Sequence, residues 1–225
     1  MIPWVQLGAA DVPDGGGALR LMQRGHEFSI MAGGIELMSS RLSGSEEALA
    51  ALSCARLRDR AAPRVLIGGL GMGFTLRTAL ATLGPDAAVT VAELVPEVVA
   101  WARGPLAALH GDSLTDPRVT VFEGDVAALI DGAPTRWDAI LLDVDNGPEG
   151  LMRRLNDDLY DAYGLRQAHD ALGPGGILAV WSAGPDRAFA ARLGAAGFRV
   201  EDLRVRANGR SRRGARHVVW LATKG

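Results

Sequence analysis

Apolar and polar positions change rhythm near residue 60. Ahead of that point the apolar runs are short: Leu19–Gln23 and Glu27–Met31 read as strands, Ala32-Gly33-Gly34 turns the chain, and Ile35–Met38 reads as a third strand. Paired glycines between alternating apolar runs are a hairpin signal. Residues 1–16 end in Asp14-Gly15-Gly16-Gly17, which is expected to form a flexible connection. Ser43 or Ser45, followed by Glu46 and Glu47, marks a helix start with acids in the first turn, where the helix dipole favours them. That helix runs through Ala48–Arg58 and stops at Ala62-Pro63. Residues 1–60 are therefore expected to form a small β-rich unit with one helix, ahead of a main domain over 61–225.

From Arg64 onward strands alternate with helices. The expected strands are Val65–Gly68, Ala88–Ala92, Val119–Phe122, Ala139–Leu142, Ile177–Trp181, Arg199–Val205 and His217–Ala222. Helical patterns lie between them at Phe74–Leu83, Pro96–His110, Val126–Ile130, Leu159–Leu172 and Pro185–Ala195. Such alternation predicts a parallel sheet covered on both faces, with ligands at the C-terminal strand ends. The last two strands have only a loop between them and should pair as an antiparallel hairpin. The expected fold is thus α/β: a Rossmann-like, seven-stranded, mostly parallel sheet with an antiparallel C-terminal hairpin, preceded by a small N-terminal β-hairpin unit. This pattern resembles the class I methyltransferase fold more than a nicotinamide dehydrogenase.

Composition narrows the setting. The chain has 225 residues, 48% hydrophobic and 22% charged, which suits a globular protein with a real core. A formal net charge of -2 argues against general nucleic-acid affinity. Cys54 is the sole cysteine and falls in an Ala/Leu-rich helical pattern, so burial is expected, with no disulfide framework and no cysteine-based zinc site. His110 and His169 lack metal-ligand spacing, and no metal is expected. The N-terminus lacks the basic start and long apolar stretch of a signal peptide. No segment reaches the ~20 apolar residues of a membrane span. A cytoplasmic location follows as the expectation.

The candidate chemistry sits at successive strand ends. Gly69, Gly71 and Gly73 form a G-x-G-x-G between the first strand of the main domain and a helix, where bare backbone admits a ligand beside a helix N-terminus. The second strand ends in Glu93, placed to accept hydrogen bonds from ribose hydroxyls. The third runs into Glu123-Gly124-Asp125, where Asp125 can accept from an adenine amino group, or cap the helix at Val126, or both. The fourth ends in Asp143-Val144-Asp145-Asn146-Gly147-Pro148, where Asp145 and Asn146 serve equally as turn formers. Tyr160 and Tyr163 either line the cleft or share a helical face packed on the sheet. Arg204, Arg206, Arg210, Arg212, Arg213 and Arg216, with His217, crowd the terminal hairpin. They read as a solvated edge or, less simply, as a receptor for an acidic ligand.

VLIGGLGMG, VTVAELVPEVV, VTVFEGDV and WDAILLDVDNGPEG together resemble the core of the spermidine synthase-like group of the class I S-adenosylmethionine-dependent superfamily. GHEFSIMAGGIELMSSRLSGSEEALA is similar to that group's hairpin and gatekeeping segment. The resemblance implies that Gly69, Leu70, Gly71, Met72 and Gly73 wrap the donor, with Glu93 on the ribose and Asp125 on the adenine. It places Asp143 at the acid that orients and deprotonates the attacking amine, helped by Asp145 or Asn146, with Glu36, Glu46 and Tyr160 on the acceptor side. Spermidine synthases carry an acid where this chain has Met72 and a further glycine where it has Phe74. Their gatekeeping glutamine, tyrosine and polar pair fall on Glu36, Ser45, Glu46 and Glu47, and the second acid of their D-x-x-D falls on Asn146.

These departures favour methyl transfer from S-adenosylmethionine to a small nucleophilic acceptor. Aminopropyl transfer from decarboxylated S-adenosylmethionine, with an altered acceptor, is the alternative, and a non-catalytic nucleoside-binding module is a third. A homodimer built on the N-terminal unit is also expected.

Overall fold

The computed structural model describes residues 2–13, 17–132, 134–144, 158–208 and 215–225. Its larger sheet contains β5 (Arg64–Gly68), β6 (Ala88–Glu93), β7 (Val119–Glu123), β8 (Trp137–Leu142), β9 (Leu172–Ser182), β10 (Phe198–Arg206) and β11 (Arg216–Lys224). The spatial order is β10-β11-β9-β8-β5-β6-β7. β5 to β9 pair in parallel, and β11 runs antiparallel to both β9 and β10. Val65, Leu66, Ile67, Ala139, Ile140 and Leu141 are all fully buried, because helices cover both faces. The expected fold is thereby observed, down to the closing hairpin.

The chain leaves β5 toward β6 and β7, then returns to β8 on the other side of β5. That reversal opens a crevice beyond Gly68 and Leu142, the topological switch point of an open α/β sheet. Two backbone bonds extend the ladders past the strand ends: Gly69 N–H to the Ala92 carbonyl (2.8 Å) and Asp143 N–H to the Gly68 carbonyl (2.9 Å). The glycine loop and Asp143 are thus fixed by the sheet itself.

A separate antiparallel sheet, ordered β1-β2-β3-β4, comprises β1 (Val5–Asp11), β2 (Ala18–Arg24), β3 (Glu27–Ala32) and β4 (Ile35–Ser39). β2 to β4 fall where the alternation placed them. β1 was not among the expected strands; it pairs with β2 along its length, with a bulge at Gln6/Gly8. The buried face of this sheet, including Leu19, Leu21, Phe28 and Ile30, joins a core with Met72, Phe74, Val98 and Trp101.

Helix α1 (Gly44–Cys54) continues into a 3-10 turn at Ala55–Leu57. Leu49, Ala50, Cys54 and Leu57 belong to the core of the larger sheet, with Val65, Ile67 and Leu76. Burial pushes the Cys54 thiol up to about 12, so it behaves as a small apolar side chain. α2 spans Phe74–Thr82. The single helix expected over Pro96–His110 is two, α3 (Pro96–Arg103) and α4 (Ala107–His110). Gly104-Pro105 separates them, since proline has no N–H to continue the ladder. α5 (Ala127–Ile130), α6 (Ala162–Ala171) and α7 (Arg187–Ala195) complete the cover. Residues 158–160 are helical as expected, but the helix is interrupted at Asp161, which caps α6 by accepting from the Tyr163 and Gly164 N–H groups, both at 2.7 Å. None of the helices is long and apolar enough to cross a membrane among the described residues.

Candidate active site

The glycine loop takes its shape from left-handed backbone, with φ of 90° at Gly69, 48° at Gly71 and 77° at Gly73. A Cβ on Gly69 would stand 2.5 Å from the Asp143 carbonyl oxygen, which is backbone and has nowhere to retreat. Gly69→Ala should therefore be destabilising by about 2–4 kcal/mol, from strain and overpacking together, and should weaken donor binding. Urea unfolding of the variant checks this. Side chains of the intervening residues point away from the crevice. Leu70 lies in the core of the larger sheet, and Met72 in the core beneath the N-terminal sheet. Gly69 and Gly71 line the cavity, whereas Leu70, Met72 and Gly73 are not in its wall. Their part is structural: the Leu70 N–H holds Glu93, and Gly73 leaves room for His110, whose Nδ1 would lie 2.4 Å from a Cβ there.

Glu93 is held by backbone N–H groups on both of its oxygens. Its Oε2 accepts from the Leu70 N–H (3.0 Å) and the Gly71 N–H (3.4 Å), and its Oε1 from the Val95 N–H (3.0 Å). It is 8% exposed, and what it exposes lines the cavity. Asp125, exposed at the rim, accepts from the Ala127 N–H at 2.8 Å. It both starts α5 and lines the cavity. Leu94, Val95, Val98 and Val126 supply apolar walls between the two acids.

At the other end of the cavity stands Asp143. Its Oδ2 accepts from the Thr75 hydroxyl at 2.5 Å. The same hydroxyl oxygen lies 3.4 Å from the Glu46 carbonyl, so the start of α1 and the end of β8 meet across Thr75. Desolvation, with repulsion from the Glu46 carboxylate, holds the Asp143 carboxyl up at about 7, against the lowering effect of the Thr75 bond. Glu46 is itself raised, chiefly by burial. A carboxyl poised near neutrality beside a second acid suits a group that takes a proton from a substrate.

The remaining expected residues divide. Glu36 lies in a neighbouring cavity, where it accepts from the Ser29 hydroxyl (2.8 Å) and pairs with Arg41 (3.3 Å). Tyr160 is corrected: it is 4% exposed, packs edge-on against Phe189 at 5.7 Å, and is in neither cavity wall. Its aromatic body was worth more in the core than at the cleft. Asp145, Asn146, Arg210, Arg212 and Arg213 lie outside the described residues. Thr75 was not anticipated; its place in the first turn after the glycine loop is the signal that could have found it. Trp181 is both packed in the core of the larger sheet and part of the cavity wall. Among the described residues no cluster of His, Cys, Asp and Glu could hold a metal.

No family model matches the sequence. Among curated proteins, polyamine aminopropyltransferase 2 of Pseudomonas aeruginosa is 34% identical over 120 residues, 52% of this chain and 32% of that protein. Polyamine aminopropyltransferase of Mycobacterium tuberculosis is 33% identical over 124 residues, 54% of this chain and 23% of that protein. The chain thus spans a third or less of the length of these relatives. Among solved structures, spermidine synthase from Thermotoga maritima superposes with a TM-score of 0.75 at 17% identity, over 98% of this chain and 72% of that one. The chain has the class I methyltransferase fold in its spermidine synthase-like form. The chain also matches a Burkholderia thailandensis methyltransferase, 1,6-didemethyltoxoflavin-N1-methyltransferase. The TM-score is 0.55 at 26% identity, over 81% of this chain and 79% of that one.

Proposed function

We propose that the chain is a transferase that moves an alkyl group from a sulfonium nucleoside to an amine, with decarboxylated S-adenosylmethionine as the favoured donor. The observation that carries this reading is the charge of the cavity. Glu46, Glu93, Asp125 and Asp143 line it, and no arginine, lysine or histidine does among the described residues. A dication of sulfonium and ammonium is attracted to such a wall, whereas the carboxylate of the undecarboxylated donor is repelled.

The residues fit a nucleoside. Glu93, immobilised by three backbone N–H groups, faces where a ribose diol would be recognised. Asp125 stands at the rim for the adenine amino group, and the glycine backbone gives close approach. The donor supplies an electrophilic carbon beside its sulfonium. Asp143 accepts a proton from the acceptor ammonium, freeing the nitrogen lone pair for in-line attack. The C–N bond forms as the C–S bond breaks, and the thioether leaves without needing a proton. Glu46 adds negative charge that draws the cationic acceptor in, and the buried walls hold the reactants aligned.

Methyl transfer remains the second reading, favoured by one observation. Met72, at the position of the spermidine synthase acid, is apolar and turned into the core, so no acid from the glycine loop receives an aminopropyl ammonium. A product assay separates the two. With a diamine acceptor and each donor in turn, methylthioadenosine is the expected product, from the decarboxylated donor. Exclusive formation of S-adenosylhomocysteine would replace this reading by methyl transfer.

A further inference from the structure

Glu46 faces two cavities. A second one, walled by Glu36, Ser45, Asp186 and His217, shares Glu46 and Trp181 with the first. Its lining joins the N-terminal helix to the last strand of the fold. The Gly44 N–H donates to the Ala207 carbonyl at 2.9 Å, pinning the start of α1 to the root of the terminal hairpin. This brings Ser45 to β11, where its Oγ lies 2.9 Å from His217 Nδ1. The Ser45 hydroxyl donates to Glu46 Oε2 at 2.7 Å. A serine hydroxyl has one proton, so with that proton directed at Glu46 the His217 Nδ1 carries the hydrogen in the second bond. Trp181 stacks edge-to-face on the imidazole at 4.7 Å and fixes its plane. Ser45 is 1% exposed, so water does not compete for these bonds.

Two hydrogen bonds in series therefore point from the C-terminal hairpin at one carboxylate. We propose that His217 is a positioning residue of the acceptor site: through the Ser45 hydroxyl it holds the Glu46 carboxylate ionised and aimed beside Asp143. The functional consequence rests on the transferase reading above; the hydrogen-bonded chain does not. Burial keeps the imidazole below its ordinary range, which favours the neutral ring as a fixed donor. Other charged groups near this chain have their own partners or positions. Glu47 accepts from the Ser43 hydroxyl, Glu36 pairs with Arg41, and Asp186 caps α7. Arg206 and Arg216 sit opposite each other on the hairpin strands, one residue beyond the Val205–His217 pair.

If the chain acts in this way, cutting it lets Glu46 take up a proton more readily and relieves the repulsion on Asp143. Side-chain carboxyl NMR would follow the Asp143 titration in wild type, His217→Leu, Ser45→Ala and His217→Asn. The Asn variant places an N–H donor where Nδ1 stood. In the Leu and Ala variants the midpoint should fall by about one pH unit, while Asn restores it. The acid limb of the pH–turnover profile should move with it, and affinity for methylthioadenosine should stay unchanged. An unmoved Asp143 midpoint in Ser45→Ala and folded His217→Leu overturns the positioning role. A wild-type chain that makes neither product overturns the transferase reading instead, and leaves the titration result to decide this one.

Discussion

Asp143→Asn should lower turnover about 10²–10⁴-fold, the usual worth of a positioned proton acceptor, and change donor affinity far less. Asparagine keeps the shape and can still accept from Thr75, so the loss reports the missing base rather than a missing contact. The same variant should be more stable than wild type at alkaline pH. Asp143 rises from 3.8 in its ordinary state to about 7 in the fold, driven first by desolvation. A raised carboxyl makes the folded state bind its proton more tightly than the unfolded chain does. Its contribution to stability is fully present below the unfolded value and is lost as pH rises through about 7. Wild type should therefore weaken between pH 5 and 8 by on the order of a few kcal/mol, a slope that Asn abolishes. Urea unfolding of both proteins at the two pH values checks it. Parallel pH dependence in the two would mean that Asp143 ionises without penalty.

The second large effect falls on Glu93→Gln. Glutamine offers one oxygen where the carboxylate offers two, and its amide N–H₂ would face the N–H of Val95 or of Leu70. One backbone donor is left buried and opposed by another, costing about 1–3 kcal/mol. The glycine loop, which leans on Oε2 through two residues, should loosen. Donor affinity should drop by about 10²-fold or more, since hydrogen bonds to a charged group go with the loop geometry. Calorimetry with methylthioadenosine and unfolding by urea would read the two losses separately. Binding within threefold of wild type would show that Glu93 supports the loop without touching the ligand.

Much of this could be read from residues alone, for a physical reason. Strands buried on both faces must be continuous apolar runs, and Val65–Ile67 and Ala139–Leu142 announce themselves as such. Acids that stop such runs have few roles, and so Glu93, Asp125 and Asp143 were visible at their strand ends. β1 was hidden because it is an edge strand with little apolar alternation. Gly8 must be small where a Cβ would stand 2.6 Å from the Trp101 indole nitrogen. Helix α1 looked like part of the N-terminal unit because an amphipathic pattern does not say which surface it covers. Met72 looked like a ligand-facing loop residue, but left-handed glycines on both sides turn its side chain inward. The acceptor side was least legible. Thr75 bonds Asp143 from 68 residues away and His217 bonds Ser45 from 172, and no local pattern encodes such pairs.

A cavity whose charged wall residues are all acids, among the described residues, should select a cationic sulfonium nucleoside, and paired calorimetric titrations test this most directly. Decarboxylated S-adenosylmethionine should bind at least about tenfold more tightly than S-adenosylmethionine, a difference of about 1.4 kcal/mol, and salt should narrow the gap. Tighter binding of the carboxylated donor, or no heat from either, would contradict the account.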